Sequence, residues 1–386
     1  MRVAICADGV FPRAVGGIER HSRLLTETLA KRHPDLHLVV IHPHEGERLF
    51  AGFPNIEEIT VAPRPGRRQY ILECRELSGR MLSVLRGLPD AVVYAQGLAG
   101  WKGARELGPR LIVNPHGLES FQSAGLSGQS FKDRCVGFVF RHVSRSAMRW
   151  PRYVVSLGGT LTQILRREIR DSDRRVVVLP NGVTPPATDV VRSAAEARPL
   201  KALFVGRFAA NKGIPDLLTA VDILNEQGLT DRIQIDLVGT GPLFVPLSSG
   251  NKRPNVIYHG PVDDATLDRL YREAHVFVLP TLFEGMPTVV LEAMVRRLPI
   301  LVTDVGATRE MVDENNGFII PKQAPTHLAE RLIDLANMPP ERRAAMGEVS
   351  WQRVQDRFTW DRVADAHHAL FRSLQEELSQ NTKRRR

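Results

Sequence analysis

The chain has 386 residues, 43% of them hydrophobic and 25% charged, a globular balance that excludes disorder and is long enough for two domains at roughly 100–200 residues each. Three scattered cysteines, Cys6, Cys74 and Cys135, with no CxxC pair exclude a disulfide scaffold, fit a reducing compartment and give no zinc-site spacing. The net charge of +9 falls in the first half: residues 1–190 hold 27 Lys and Arg against 18 Asp and Glu, while residues 191–386 hold 25 of each. Such a half either faces an anionic partner (membrane surface, nucleic acid or acidic substrate) or carries a solvated arginine-rich face.

Short apolar runs alternate with helical patterns along the chain, the signature of parallel α/β layers. The opening "MRVAICADGVF" is too short for a secretory leader and is broken by Asp8, so it reads as a first buried strand near 3–8. Strands follow near 37–42, 56–62, 91–95, 110–114, 153–157 and 176–179, with helices near 17–32, 70–86, 98–107, 130–149 and 159–169. After residue 185, "TPPATDVVRSAAEARP" has the prolines and small polar residues of a linker. A second series has strands near 201–206, 233–238, 256–259, 276–280, 299–303 and 317–320, and helices near 213–227, 264–273, 287–297 and 325–337. Last comes an amphipathic helix from Trp360 to about Leu378 and the basic tail "KRRR". The pattern predicts two doubly wound α/β domains facing a cleft, residues 1–185 and 186–358, followed by the segment 359–386, whose helix is expected to return to the first domain. No apolar stretch approaches the ~20 residues that span a bilayer.

In such sheets ligands sit at the carboxyl ends of strands, and the turns expected there carry the informative residues. "FEGMPTVVLEAM", residues 283–294, puts Glu284 in a loop after a strand and Glu292 on the second turn of a helix, with Pro287 suited to its first turn. The amides of Thr288, Val289 and Val290 would point out of that helix toward an anion. Carboxylates suit sugar hydroxyls, whereas two glutamates eight apart can equally be solvated charges. "VGRFAANKG" sets Arg207 and Lys212 at the mouth of another strand, freed by Gly206 and Gly213. A planar fork and a point charge suit a diphosphate; the pattern is no Walker loop.

In this order "VGRFAANKG", "VGTGP" and "FEGMPTVVLEAM" resemble the retaining glycosyltransferases of the GT-B fold, whose E-x7-E motif matches Glu284 to Glu292. "GGIERH", "NPHG" and "LPNGV" in the first half fit as well, so the resemblance covers nearly the whole chain. It implies that Arg207 and Lys212 bind the diphosphate of a nucleoside diphosphate sugar and offset charge on the leaving group. Glu292 would hold the ribose hydroxyls. Glu284 would hold the transferred sugar, helped by backbone around Gly285, Met286, Pro287 and Thr288. Gly16 and Gly17 would let the backbone approach the phosphates, and His116 would sit by the sugar at the reaction centre. Without the resemblance, His116 reads as a structural histidine in a turn. Gly239, Thr240 and Gly241 would form a loop near the nucleotide, and Asn181 with Gly182 would shape the hinge turn. The family is described with front-face attack, in which the acceptor hydroxyl enters on the leaving group's side and the departing phosphate takes its proton, in a cleft gated by domain closure.

Other signals carry less. "DSD" at 171–173 reads as a polar loop, and "HPH" at 42–44 and His367–His368 lack a third ligand and read as surface; the resemblance to the GT-B enzymes implies no bound metal and no cofactor. Residues 130–152 interleave Phe131, Phe138, Phe140, Met148 and Trp150 with Lys132, Arg134, Arg141, Arg145, Arg149 and Arg152. This is a basic amphipathic helix fit for an anionic membrane, or one that covers the sheet with its arginines in water; the cluster Arg64, Arg67 and Arg68 adds to the charge. The preferred reading is a retaining hexosyltransferase with a nucleotide-sugar donor bound by the second domain. Its acceptor, lipid-linked or otherwise anionic, would be bound by the first, in glycan, polysaccharide or lipopolysaccharide assembly. It would be cytoplasmic, with peripheral contact at the inner face of the cell membrane, and would bind no nucleic acid. A phosphorylase or sugar-nucleotide epimerase of the same fold, and a degenerate non-catalytic binding subunit, are the alternatives.

Overall fold

The computed structural model describes residues 1–14, 17–61, 70–118, 121, 131–169, 175–190 and 199–385. The chain divides into two compact units, Met1–Gly182 together with Trp360–Arg386, and Val183–Thr359. The sequence boundaries at 185 and 358 thus move to Gly182 and Thr359. There the two connecting strands run side by side, Val183 N–H bonding the Phe358 carbonyl (2.8 Å).

The first unit is a seven-stranded parallel sheet in the order β3-β2-β1-β4-β5-β6-β7. Its strands are β1 Arg2–Cys6, β2 His37–His42, β3 Ile56–Thr60, β4 Val92–Gln96, β5 Leu111–Asn114, β6 Tyr153–Ser156 and β7 Val176–Val178. The central runs are apolar on both faces, which suits strands covered by helices on each side. Val3 and Ile5 of β1 face a layer with Leu25 and Leu29, and Ala4 and Cys6 face another with Met81 and Leu85. The helix Trp360–Arg385 lies in the first layer beside the helix Gly17–Arg32, and buries Val363, Ala364, Phe371 and Leu374 there. Burial of Phe371 and Leu374 is worth roughly 1.5–3 kcal/mol each.

The second unit repeats the plan with six parallel strands ordered β10-β9-β8-β11-β12-β13. They are β8 Leu200–Val205, β9 Ile233–Val238, β10 Val256–Gly260, β11 Val276–Leu279, β12 Ile300–Thr303 and β13 Gly317–Ile320. In both sheets the order reverses beside the first strand, between β1 and β4 and between β8 and β11. That reversal opens the crevice where such sheets take ligands.

Four local expectations are corrected. The helix expected at 98–107 shrinks to Ala104–Leu107, because Leu98–Gly103 is wound in tight turns (Trp101 N–H to Leu98 O, 3.0 Å) with Gly100 pressed on Ala95. The helix expected at 287–297 starts at Thr288 and ends at Met294, and Arg297 turns left-handed (φ 59°) as the chain leaves it. The helices Phe244–Ser249 and Pro340–Arg357 were not anticipated. His42 and His367, expected at the surface, are buried. No helix among the described residues is long and apolar enough to cross a membrane.

Candidate active site

In the second unit the loops after β8, β9, β11 and β12 interlock through backbone contacts that leave no room for side chains. Gly213 (φ 67°) lies against Pro280, and a Cβ there would fall 1.8 Å from the Pro280 carbonyl oxygen. Gly239 (φ 126°) lies equally close on Gly206, with 2.0 Å to its carbonyl oxygen. Asn211 O accepts bonds from Leu282 N–H (2.8 Å) and Thr281 Oγ1 (2.9 Å). Beyond β12, Ala307 N–H bonds Gly285 O (2.9 Å). The turn carrying Arg207 and Lys212 is therefore fastened to the turn carrying Glu284 at the point where the strand order reverses.

The fastening brings two expected site residues into contact. Lys212 Nζ donates to Glu284 Oε1, and the two side chains are 22% and 16% exposed. Assigned separate duties in the sequence reading, they form one ion pair at the carboxyl edge of the sheet. Arg207 is exposed one loop position beyond Gly206. Glu292 has a partner of its own: its Oε2 accepts the phenol of Tyr271 (3.2 Å), which comes from the helix Asp264–Glu273. Burial holds the Tyr271 phenol well above its ordinary pKa, so it remains a proton donor to the carboxylate. No sequence signal marked Tyr271, whose place follows only from the packing of its helix. Met286 is buried, Pro287 precedes the helix Thr288–Met294 rather than sitting in its first turn, and Thr288 opens it. The amide of Val290 is taken by the Pro287 carbonyl (3.1 Å), which removes it from the expected anion site. Gly241 abuts Phe208, where a Cβ would lie 2.6 Å from the carbonyl oxygen, so "VGTGP" is held on "VGRFAANKG".

In the first unit His116 follows β5 in a left-handed turn (φ 57°) closed by Asn114, whose Oδ1 accepts the His116 N–H (3.0 Å). Its Nε2 lies 3.0 Å from Gln96 Oε1 at the end of β4. The ring is buried, and desolvation pushes its pKa down to about 3. At neutral pH it is an uncharged hydrogen-bonding ring. His21 meets it edge-on (5.0 Å between centroids), and His21 also meets Trp360 (5.4 Å) and His367 (6.2 Å). Tyr94 links His367 to Asn114, its hydroxyl 3.2 Å from His367 Nε2 and accepting from Asn114 Nδ2 at 2.9 Å. The expected hinge residues border this cluster. Asn181 is an electrostatic neighbour of His21, and Gly182 leaves room for Trp360, whose ring would lie 2.5 Å from a Cβ. Gly17 opens its helix exposed, with nothing within 4 Å of an added Cβ. Gly16, Arg64, Arg67, Arg68 and the segment 171–173 lie outside the described residues.

Two family models match the chain: one described as Glycosyltransferase Family 4 over residues 15–185 and one described as Glycosyl transferases group 1 over residues 199–338. The putative teichuronic acid biosynthesis glycosyltransferase TuaC of Bacillus subtilis is 33% identical over 176 residues, 45% of this chain and 42% of that protein. A D-inositol 3-phosphate glycosyltransferase of Streptomyces scabiei is 28% identical over 303 residues, 71% of this chain and 65% of that protein. The chain thus matches less than two thirds of either relative's length. In fold it is similar to the sucrose-phosphate synthase of Thermosynechococcus elongatus, with a TM-score of 0.78 at 21% identity over 97% of this chain and 98% of that one. The chain belongs to the glycosyltransferases of the GT-B fold, the Family 4 match covering its first unit and the group 1 match its second.

Proposed function

We propose that the chain is a retaining glycosyltransferase that moves a hexose from a nucleoside diphosphate sugar to a hydroxyl acceptor in polysaccharide or lipopolysaccharide assembly. The second unit would take the donor and the first the acceptor. The observation that carries the reading is the Lys212–Glu284 pair at the reversal point between β8 and β11, with Arg207 exposed on the loop that carries Lys212.

In this reading Arg207 and Lys212 meet the diphosphate, so its charge is offset by side chains without a resident metal or cofactor. Lys212 exchanges Glu284 for phosphate oxygen, and Glu284 is released to accept hydroxyls of the sugar. Glu292, oriented by Tyr271, accepts the ribose hydroxyls. The acceptor oxygen bonds the anomeric carbon on the side from which the diphosphate oxygen leaves. That phosphate oxygen takes the hydroxyl proton, and the anomeric configuration is kept. Stabilising the departing diphosphate is electrostatic work for fixed cations. His116, neutral at pH 7, offers the sugar a hydrogen bond rather than a charge. TuaC and the D-inositol 3-phosphate enzyme carry teichuronic acid and an inositol phosphate in their names, which supports an anionic glycan or phosphorylated acceptor for this chain.

The helix Phe131–Met148 supports peripheral contact with a membrane. Val136, Phe138 and Val139 are exposed, as is Trp150 just beyond, among Arg134, Arg145 and Arg149. The expected behaviour is sedimentation with vesicles rich in anionic lipid but not with neutral vesicles, weakened in Phe138→Asp. Equal binding to both, or to neither, contradicts the membrane contact.

The transfer itself is tested with acceptor glycans and a panel of sugar nucleotides, reading the product's anomeric configuration by NMR. The expected product keeps the donor's configuration, and Lys212→Met lowers kcat by about 10²–10³. An inverted product, dependence on inorganic phosphate, or donor conversion without acceptor contradicts the proposal.

A further inference from the structure

Two adjacent histidines of the helix Trp360–Arg385 part company. His367 turns into the core, whereas His368 lies at the rim with its ring stacked on His33 (3.8 Å between centroids, 29° between planes). His33 directly follows the helix Gly17–Arg32, and Asp35 lies two residues further on, before β2. One ligand atom from each of His33, Asp35 and His368 lies within 4.8 Å of the others. The fold therefore supplies the third ligand that the sequence around His367–His368 lacked.

Two further features point to a ligand. His368 Nε2 is closed off from solvent and has no hydrogen-bond partner among the described residues, an arrangement that is costly for a polar atom unless something binds it. His33 Nε2 lies 3.0 Å from Asp365 Oδ1. Asp365 is itself gripped by Arg32 through Nε (3.0 Å) and Nη2 (2.7 Å). A carboxylate behind one ring nitrogen fixes the tautomer and presents the other nitrogen as a lone pair, the usual outer support of a metal-binding histidine. The charged neighbours are Asp35, Asp361 and Asp365 against Arg32 and Arg372, and Arg32 is spent on Asp361 (3.0 Å) and Asp365. The balance favours a cation.

We propose that His33 Nδ1, His368 Nε2 and the Asp35 carboxylate bind one divalent ion of borderline softness, Zn2+ being the natural choice, with water completing the shell. Two imidazoles and a carboxylate suit such an ion and not Mg2+ or Ca2+, which require more oxygen ligands. Tetrahedral bonds of about 2 Å need ligand atoms roughly 3.3 Å apart, a closure that requires the exposed Asp35 side chain to turn inward and the stacked His33 and His368 rings to splay so that their lone pairs converge. The ion would clip the C-terminal helix to the end of the first helix. It acts on the fold of the first unit and takes no part in transfer.

The test uses the full, untagged chain stripped of metal, titrated with Co2+ and Zn2+. Expected are one equivalent of Co2+ with the visible absorption of a low-coordinate site, displacement by Zn2+, and a rise in melting temperature with Zn2+ but not Mg2+. Asp35→Asn and His368→Gln should each weaken binding at least tenfold, whereas His142→Gln, on an exposed histidine elsewhere, should not. Asp35→Asn changes an exposed side chain and keeps the fold, so its metal-free melting temperature should match the parent's. Absence of binding, or binding unchanged in both ligand variants, overturns the proposal.

Discussion

Lys212 and Glu284 reach each other from loops separated by 72 residues, each with most of its side chain out of water. A pair so placed does two jobs: it fastens the loops and holds a cation where a diphosphate would arrive. The jobs separate experimentally. Lys212→Met removes the ion pair with Glu284, which costs about 1–3 kcal/mol, or several degrees in melting temperature. The double exchange Lys212→Glu with Glu284→Lys restores an ion pair and should recover much of that stability. It should not recover transfer, because the cation then sits on the sugar's side of the pair. Recovery of full activity by the exchanged pair would show that fastening is all it does.

The buried histidines set a pH dependence. Burial depresses His116 to about 3 and His367 to about 4, and holds His21 well below its ordinary value. Between these values and the unfolded pKa of about 6.5 the unfolded chain binds protons that the folded unit refuses. Stability is therefore complete above about pH 6.5 and falls as the pH drops toward 4, by up to about 1.4 kcal/mol per pH unit for each histidine. Urea midpoints at pH 7, 6 and 5 should fall accordingly, and His367→Gln should flatten the slope. A midpoint independent of pH over this range contradicts the buried, neutral cluster.

Among the elements, the helix Trp360–Arg385 has the clearest energetic role, since Phe371 and Leu374 complete the core of a unit whose other residues lie more than 170 positions earlier. Phe371→Ala should destabilise the first unit by about 3–5 kcal/mol, read as loss of one unfolding transition while that of the second unit is kept. Simultaneous loss of both transitions contradicts the assignment of this helix to the first unit. Its amphipathic pattern made it legible as a helix. The helix Pro340–Arg357 was not legible, and its buried stripe explains why. Arg343, Met346, Gly347, Ser350 and Val354 carry little apolar signal, and Gly347 is there for close approach to the Arg297 carbonyl. The strands were legible because β1, β4, β8 and β11 are apolar on both faces. In the site, the spacing of Glu284 and Glu292 was visible, whereas the Lys212–Glu284 contact and the partnership of Tyr271 with Glu292 were not. Those depend on loops and helices meeting across the sheet edge, which no local pattern encodes. The histidine cluster was hidden for the same reason, drawing His21, His116 and His367 from three distant segments.

At the scale of the whole molecule, two parallel sheets of similar order carry different chemistry: a buried, neutral cluster of aromatic and histidine rings in the first unit, and an ion pair at the carboxyl edge of the sheet in the second. The central claim is that the paired charges receive a sugar nucleotide. The most direct test is the melting temperature of the intact chain and of Lys212→Met with UDP-, GDP- and ADP-sugars. A ligand at about 100 times its dissociation constant adds about 2.7 kcal/mol, or several degrees. The account predicts a rise with one nucleotide class that Lys212→Met abolishes. No rise with any nucleotide, or an equal rise in the variant, would contradict it.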